Sequence, residues 1–77
     1  MWIRSQDKEL LLNVKTISVG KDNSIRCATD NSSLDILLLG EYSSKEKAMK
    51  VLDMIQKFLD NEFLARVFQM PQDEEVN

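Results

Sequence analysis

Histidine is absent from this 77-residue sequence, and cysteine, proline, tryptophan and tyrosine occur once each. Each shortage removes a class of chemistry. Without histidine there is no Ser–His or Cys–His nucleophile pair. With Cys27 alone, no intramolecular disulfide can form, and the missing histidines and cysteine pairs argue against a structural zinc site. A lone cysteine suits a reducing compartment. Gly20 and Gly40, the two glycines, stand in no phosphate-loop pattern. No run approaches the ~18 apolar residues of a membrane span; the longest is Ile36, Leu37, Leu38 and Leu39, which reads as a buried strand. The opening Met1, Trp2, Ile3 and Arg4 soon turn polar, unlike a signal peptide. A soluble protein of a cytoplasm, away from membranes, is the expectation.

The net charge is −3, with acids at Asp73, Glu74 and Glu75. Proteins that hold DNA nonspecifically draw affinity from a basic excess. That excess is missing here, so DNA is not the expected partner. A single domain of this length buries only about 60% of its unfolded-chain surface and needs a staple. Disulfide and metal being set aside, self-association is the staple expected, which makes a homo-oligomer.

What is present is an ordinary α+β pattern with unusual ends. Residues 1–5 read as a short strand and 6–9 as a polar turn. From 10 to 19 the pattern is β-like but slips in phase. Leu10, Leu12 and Val14 share one parity, and Ile17 and Val19 the other, as a bulge near Lys15 and Thr16 would produce. Residues 20–23 read as a hairpin turn, with Gly20 and Asn23 suited to positive φ. Residues 24–29 alternate, Ile25 and Cys27 against Arg26. After a second turn at 30–33, residues 34–39 form a strand apolar on both faces, as a central or twice-covered strand would be. The second cover would be a partner subunit.

Ser43 and Glu46 have the spacing of a capping box. Ala48, Val51, Leu52, Ile55, Phe58 and Leu59 follow as one helical stripe, and Asn61 is a plausible stop. Residues 63–70 fit a helix extension or a strand, with the extended reading favoured and Pro71 ending either. The expected fold is therefore α+β: a small antiparallel β-sheet of three to five strands packed on one amphipathic helix, with an extended C-terminal segment. The strands lie over about 1–39, the helix about 44–61 and the tail 62–77, in one domain.

No nucleophile–base constellation emerges, so the chain is not expected to be an enzyme and no cofactor is expected. Lysines in turns and on helix faces are expected to be solvated rather than tuned as bases. Asp53 and Asp60 share a helix face as ordinary surface acids. Glu46 with Lys50 and Asp53 with Lys57 are i,i+4 pairs that support the helix. The lysines Lys47, Lys50 and Lys57, broken by Met54, read as a solvated stripe.

Binding chemistry is better supplied. The ends carry Trp2, Arg4, Arg66, Phe68 and Gln69, the candidate ligand-binding residues. Arginine forks suit phosphate or carboxylate, aromatic rings stack, and amides read polar edges. Tyr42, Gln6 and Gln72 add to that inventory. Each has a plainer reading: Trp2 as a core or interface plug, Phe68 and Met70 as packing, Arg26 as a solvated outer face, Cys27 as an inert buried thiol.

Three stretches together are familiar: residues 1–8 (Met1, Trp2, Ile3, Arg4, Ser5, Gln6, Asp7, Lys8), residues 39–56 around Leu39, Gly40, Glu41, Tyr42 and Ser43, and residues 67–73 (Val67, Phe68, Gln69, Met70, Pro71, Gln72, Asp73). They resemble a family of very small proteins carried by phages, prophages and other mobile elements of low-GC Gram-positive bacteria. The likeness is weakest over 15–33. It implies a compact phage accessory protein in the host cytoplasm and brings no catalytic or binding residues with it. By analogy, small phage proteins of this kind act by stoichiometric binding. Some block a host protein, and some are oligomeric sponges that sequester a nucleotide immune signal between subunits. The implied ligand is a cyclic nucleotide or another small anion. The alternatives are a host-protein inhibitor acting through its sheet or acidic tail, and a structural or regulatory accessory without a ligand.

Overall fold

Alternating burial along the strands sets one face of a sheet against a single helix. A computed structural model describes residues 1–29, 36–60 and 67–76. In chain order the elements are β1 (Trp2–Arg4), β2 (Leu11–Val19), β3 (Ser24–Thr29), β4 (Ile36–Glu41), α1 (Lys45–Asp60) and β5 (Val67–Gln69), then a 3-10 turn over Asp73–Glu75. The expected α+β class is what the chain adopts. The sheet runs β4-β3-β2-β1-β5. It is mixed rather than purely antiparallel, because β5 returns beside β1 in parallel while the other pairs are antiparallel.

That return joins the two ends of the chain. Trp2 stands opposite Val67, Ile3 opposite Phe68 and Arg4 opposite Gln69. A parallel neighbour needs a long crossover, and α1 supplies one between β4 and β5. The extended reading of the segment before Pro71 therefore holds for residues 67–69.

The phase slip in β2 is a bulge. Its register against β3 shifts between Val14 and Thr16, so that Leu12, Val14, Ile17 and Val19 all turn toward the helix despite their mixed parity. Leu10 does not join them; it precedes the strand, is exposed, and its N–H donates to Ser5 Oγ at 3.1 Å. In the 20–23 turn, Asn23 has the positive φ of 64° and Gly20 does not. Gly20 instead sits where an added Cβ would meet Asp22 Oδ1 at 2.8 Å.

β4 is an edge strand, not a central one. Its two apolar faces divide: Leu37 and Leu39 pack inward, while Ile36 and Leu38 are exposed on the opposite face. The turn expected at 30–33 and the stop expected at Asn61 lie outside the described residues.

The core joins Ile3, Val14, Ile25, Cys27, Leu39 and Phe68 of the sheet to Ala48, Val51 and Ile55 of the helix. Phe58 meets Phe68 edge-to-face, centroids 5.2 Å apart, a favoured aromatic geometry. Leu59, the last residue of the expected stripe, stays 56% exposed. The helix cap is Ser44, one residue later than the spacing suggested: its Oγ accepts from Lys47 N–H at 3.1 Å. Ser43 N–H donates instead to Asp73 Oδ1 at 2.8 Å. Glu46 lies on the helix surface, 3.9 Å from Lys50 Nζ.

The tail is bound to the body. Tyr42 donates its hydroxyl to Pro71 O, and Gln72 Nε2 donates to Gln6 O at 2.7 Å. Gln6 reaches both sides, donating to Glu41 O and Pro71 O and accepting from Glu41 N–H. Val76 is 4% exposed within the core. Lys47 departs from the expected solvated stripe, since its Nζ is 3.4 Å from Asp73 Oδ2 and donates to Asp73 O.

Candidate functional site: the open face of the sheet

Side chains alternate across a strand, so one face of this sheet meets α1 and the other carries no helix among the described residues. The sequence candidates divide along that line. Trp2 and Arg4 flank the buried Ile3 and therefore project together from the helix-free face. Gln69, opposite Arg4 on β5, shares that face. Phe68 does not. It lies between two exposed residues of β5, is 7% exposed, and packs against Phe58 on the helix side. Its ring is a core residue here, which separates it from the other candidates. Arg66 lies outside the described residues.

Trp2 is 47% exposed, so neither the core-plug reading nor full solvation describes it. Its cross-strand neighbours are Asn13 on β2 and Val67 on β5. Those of Arg4 are Leu11 and Gln69. None of these four flanking residues is charged, and Leu11 and Val67 give the indole and the guanidinium apolar sides. Arg4 Nε donates to Lys8 O at 2.9 Å, which uses one of the five donors of the fork and orients the rest. Lys8 presents that carbonyl from a turn in which its own φ is +66°. Gln69 Nε2 donates to Ser5 O at 3.1 Å and Met70 O at 2.9 Å, so its amide braces the edge of the face.

Leu11 and Val67 belong to this face without having been among the sequence candidates. The signal was present for Leu11, because assigning Leu12 and Val14 to one face sends Leu11 to the other. Val67 had no such signal, since its partner strand could not be read from the sequence. Farther along the same face, Ile36 is 60% and Leu38 38% exposed on β4. Between them and the β1 cluster lies Arg26, held 3.0 Å from Asp22 Oδ2 in an ion pair.

Hydrogen bonds hold down the carboxyls of two turn aspartates. Asp22 is held down to about 2, first by the Ser24 hydroxyl and then by Arg26 and the Ser24 amide. Asp7 is lowered by the Ser5 hydroxyl and the Glu9 amide. Burial pushes the Cys27 thiol up, which suits an inert packing residue. Burial and then the Asp73 and Glu75 charges raise the Tyr42 hydroxyl, which keeps it protonated as the donor to Pro71. Among the described residues, no three His, Cys, Asp or Glu side chains converge as a metal site would require, and no helix is long and apolar enough to cross a membrane.

No protein-family model, curated protein or solved structure matches the chain.

Proposed function

We propose that this chain is a non-enzymatic accessory protein acting by stoichiometric binding, and that it takes a nucleotide-like anion on the helix-free face of its sheet. The observation that carries this is the pairing of Trp2 with Arg4 on one face, flanked by Leu11, Asn13, Val67 and Gln69, none of them acidic. An indole offers a stacking surface for a base, and a guanidinium two residues along the strand offers a fork for phosphate. Apolar flanks strengthen that charge contact by excluding water. Ile36 and Leu38 on the same face favour a second copy as the cover for the remainder, so the binding unit is a homo-oligomer with ligand at a subunit boundary. For a phage-type protein, the biological form of this activity is capture of a nucleotide immune signal of the host.

Inhibition of a host protein through the acidic tail is the weaker reading. Asp73 is engaged by Ser43 and Lys47, and Glu75 Oε1 accepts from Gln72 N–H at 2.7 Å. The tail is thus committed to its own fold.

A thermal-shift screen against mono-, di- and cyclic nucleotides, cyclic ADP-ribose isomers included, tests the proposal. A ligand bound only by the folded state at a hundredfold its Kd adds about 2.7 kcal/mol of stability. One species raising Tm by several degrees is the expected result. No shift with any of them, together with recovery of one host protein in a stoichiometric complex, would replace this reading with the inhibitor one.

A further inference from the structure

The other side of the sheet carries a cleft that the open-face reading does not use. About 560 Å³ in volume, it lies between β2 and the C-terminal half of α1. Val14, Ile17, Leu52, Ile55 and Leu59 form aliphatic walls, with Met1 beside them. This size falls in the ordinary range for small-molecule sites. It also explains where the end of the helical stripe goes: Leu59, 56% exposed, lines this cleft instead of closing the core.

Two features restrict the occupant. First, no aromatic ring lines the cleft among the described residues, so the walls favour a flexible aliphatic body over a stacked ring. Second, among the described residues that line it, Lys15 is the one with a charged side chain, Gln56 is its polar companion, and none is a carboxylate. Lys15 sits at the bulge: the register shift between Val14 and Thr16 leaves it as the extra residue of β2.

We propose that this cleft binds a single-chain aliphatic carboxylate, its chain between β2 and α1 and its head on Lys15. The site is independent of the nucleotide reading, and either can fail alone.

Dodecanoate, used below its micellar concentration, and dodecanol, its uncharged counterpart, are the probes for calorimetry and methyl NMR on the full chain. Expected are saturable binding at one dodecanoate per chain, and methyl shifts at Ile55, Leu52 and Leu59 that exceed those at Ile36 and Leu38. Lys15→Met should weaken dodecanoate about threefold to tenfold, as loss of a partly solvated charge contact does, and leave dodecanol unchanged. Lys15→Arg should restore it. Circular dichroism confirms that each variant folds. Absence of saturable binding, or shifts centred on Ile36 and Leu38, would overturn the site. Equal effects of Lys15→Met on the acid and the alcohol would overturn the assignment of the head group.

Discussion

Tyr42 donates its buried hydroxyl to the carbonyl of Pro71 across 2.8 Å, joining the start of the helical half of the chain to the tail. Gln6 shares that carbonyl from β1's side, at 3.2 Å. Gly40 permits the arrangement, since a Cβ there would come within 3.2 Å of both Gln6 Cβ and the Tyr42 hydroxyl. Removing the hydroxyl with Tyr42→Phe leaves Gln6 to satisfy Pro71. The expected cost is about 1–2 kcal/mol, a typical loss for a buried neutral bond, or a fall in Tm of about 4–8 °C per kcal/mol. Thermal unfolding followed by circular dichroism measures it.

Asp73 makes the tail acid-sensitive. The Ser43 amide, with help from Lys47, holds its carboxyl below the ordinary 3.8. A group depressed in the folded state stabilises fully above its unfolded value, and that contribution is lost as pH falls through the folded one. Asp22, held at about 2, extends the same loss to lower pH. Stability should therefore be flat from about pH 5 to pH 7 and fall from about pH 4 toward pH 2. Asp73→Asn keeps an acceptor for Ser43 but removes the charge. Its Tm should lie below that of the parent at neutral pH and converge with it at the acid end. A gap that persists unchanged at low pH would contradict the assignment.

Ser44, not Ser43, closes the helix N-terminus. Ser44→Ala should cost about 1 kcal/mol, the usual loss for an N-cap. Ser43→Ala should cost less, because the larger part of Ser43's hold on Asp73 comes from its backbone N–H and the smaller part from its hydroxyl. Parallel urea titrations of the two variants separate them.

What the residues revealed in advance follows the range of the interactions involved. The bulge near Lys15 was legible because a bulge leaves a parity break in the strand that contains it. The helix was legible from its stripe, and Cys27 as a packing residue from its alternation with Arg26. The cap was displaced by one residue because two serines in succession offer the same hydroxyl, and the choice was made by Asp73, 30 positions away from Ser43. β4 read as central or twice covered because apolar residues on two faces look the same whether the second face is covered or lies open. At the site, Trp2 and Arg4 were recognisable as binding candidates from their residue types. The loss of Phe68 to the core was not, since its side follows from the parallel pairing of β5 with β1, a contact some 65 residues apart in sequence.

Trp2 is the sole tryptophan, so its fluorescence reports directly on the proposed face. The most direct measurement is a fluorescence titration with the nucleotide that gives the largest thermal shift, on the parent and on Arg4→Ala, with Trp2→Ala followed by calorimetry. The account predicts a saturable change in the parent, at least tenfold weaker binding in Arg4→Ala, as loss of a charge-assisted phosphate contact implies, and loss of binding heat in Trp2→Ala. A ligand that stabilises the protein while leaving Trp2 emission unchanged and both variants at parental affinity would contradict it.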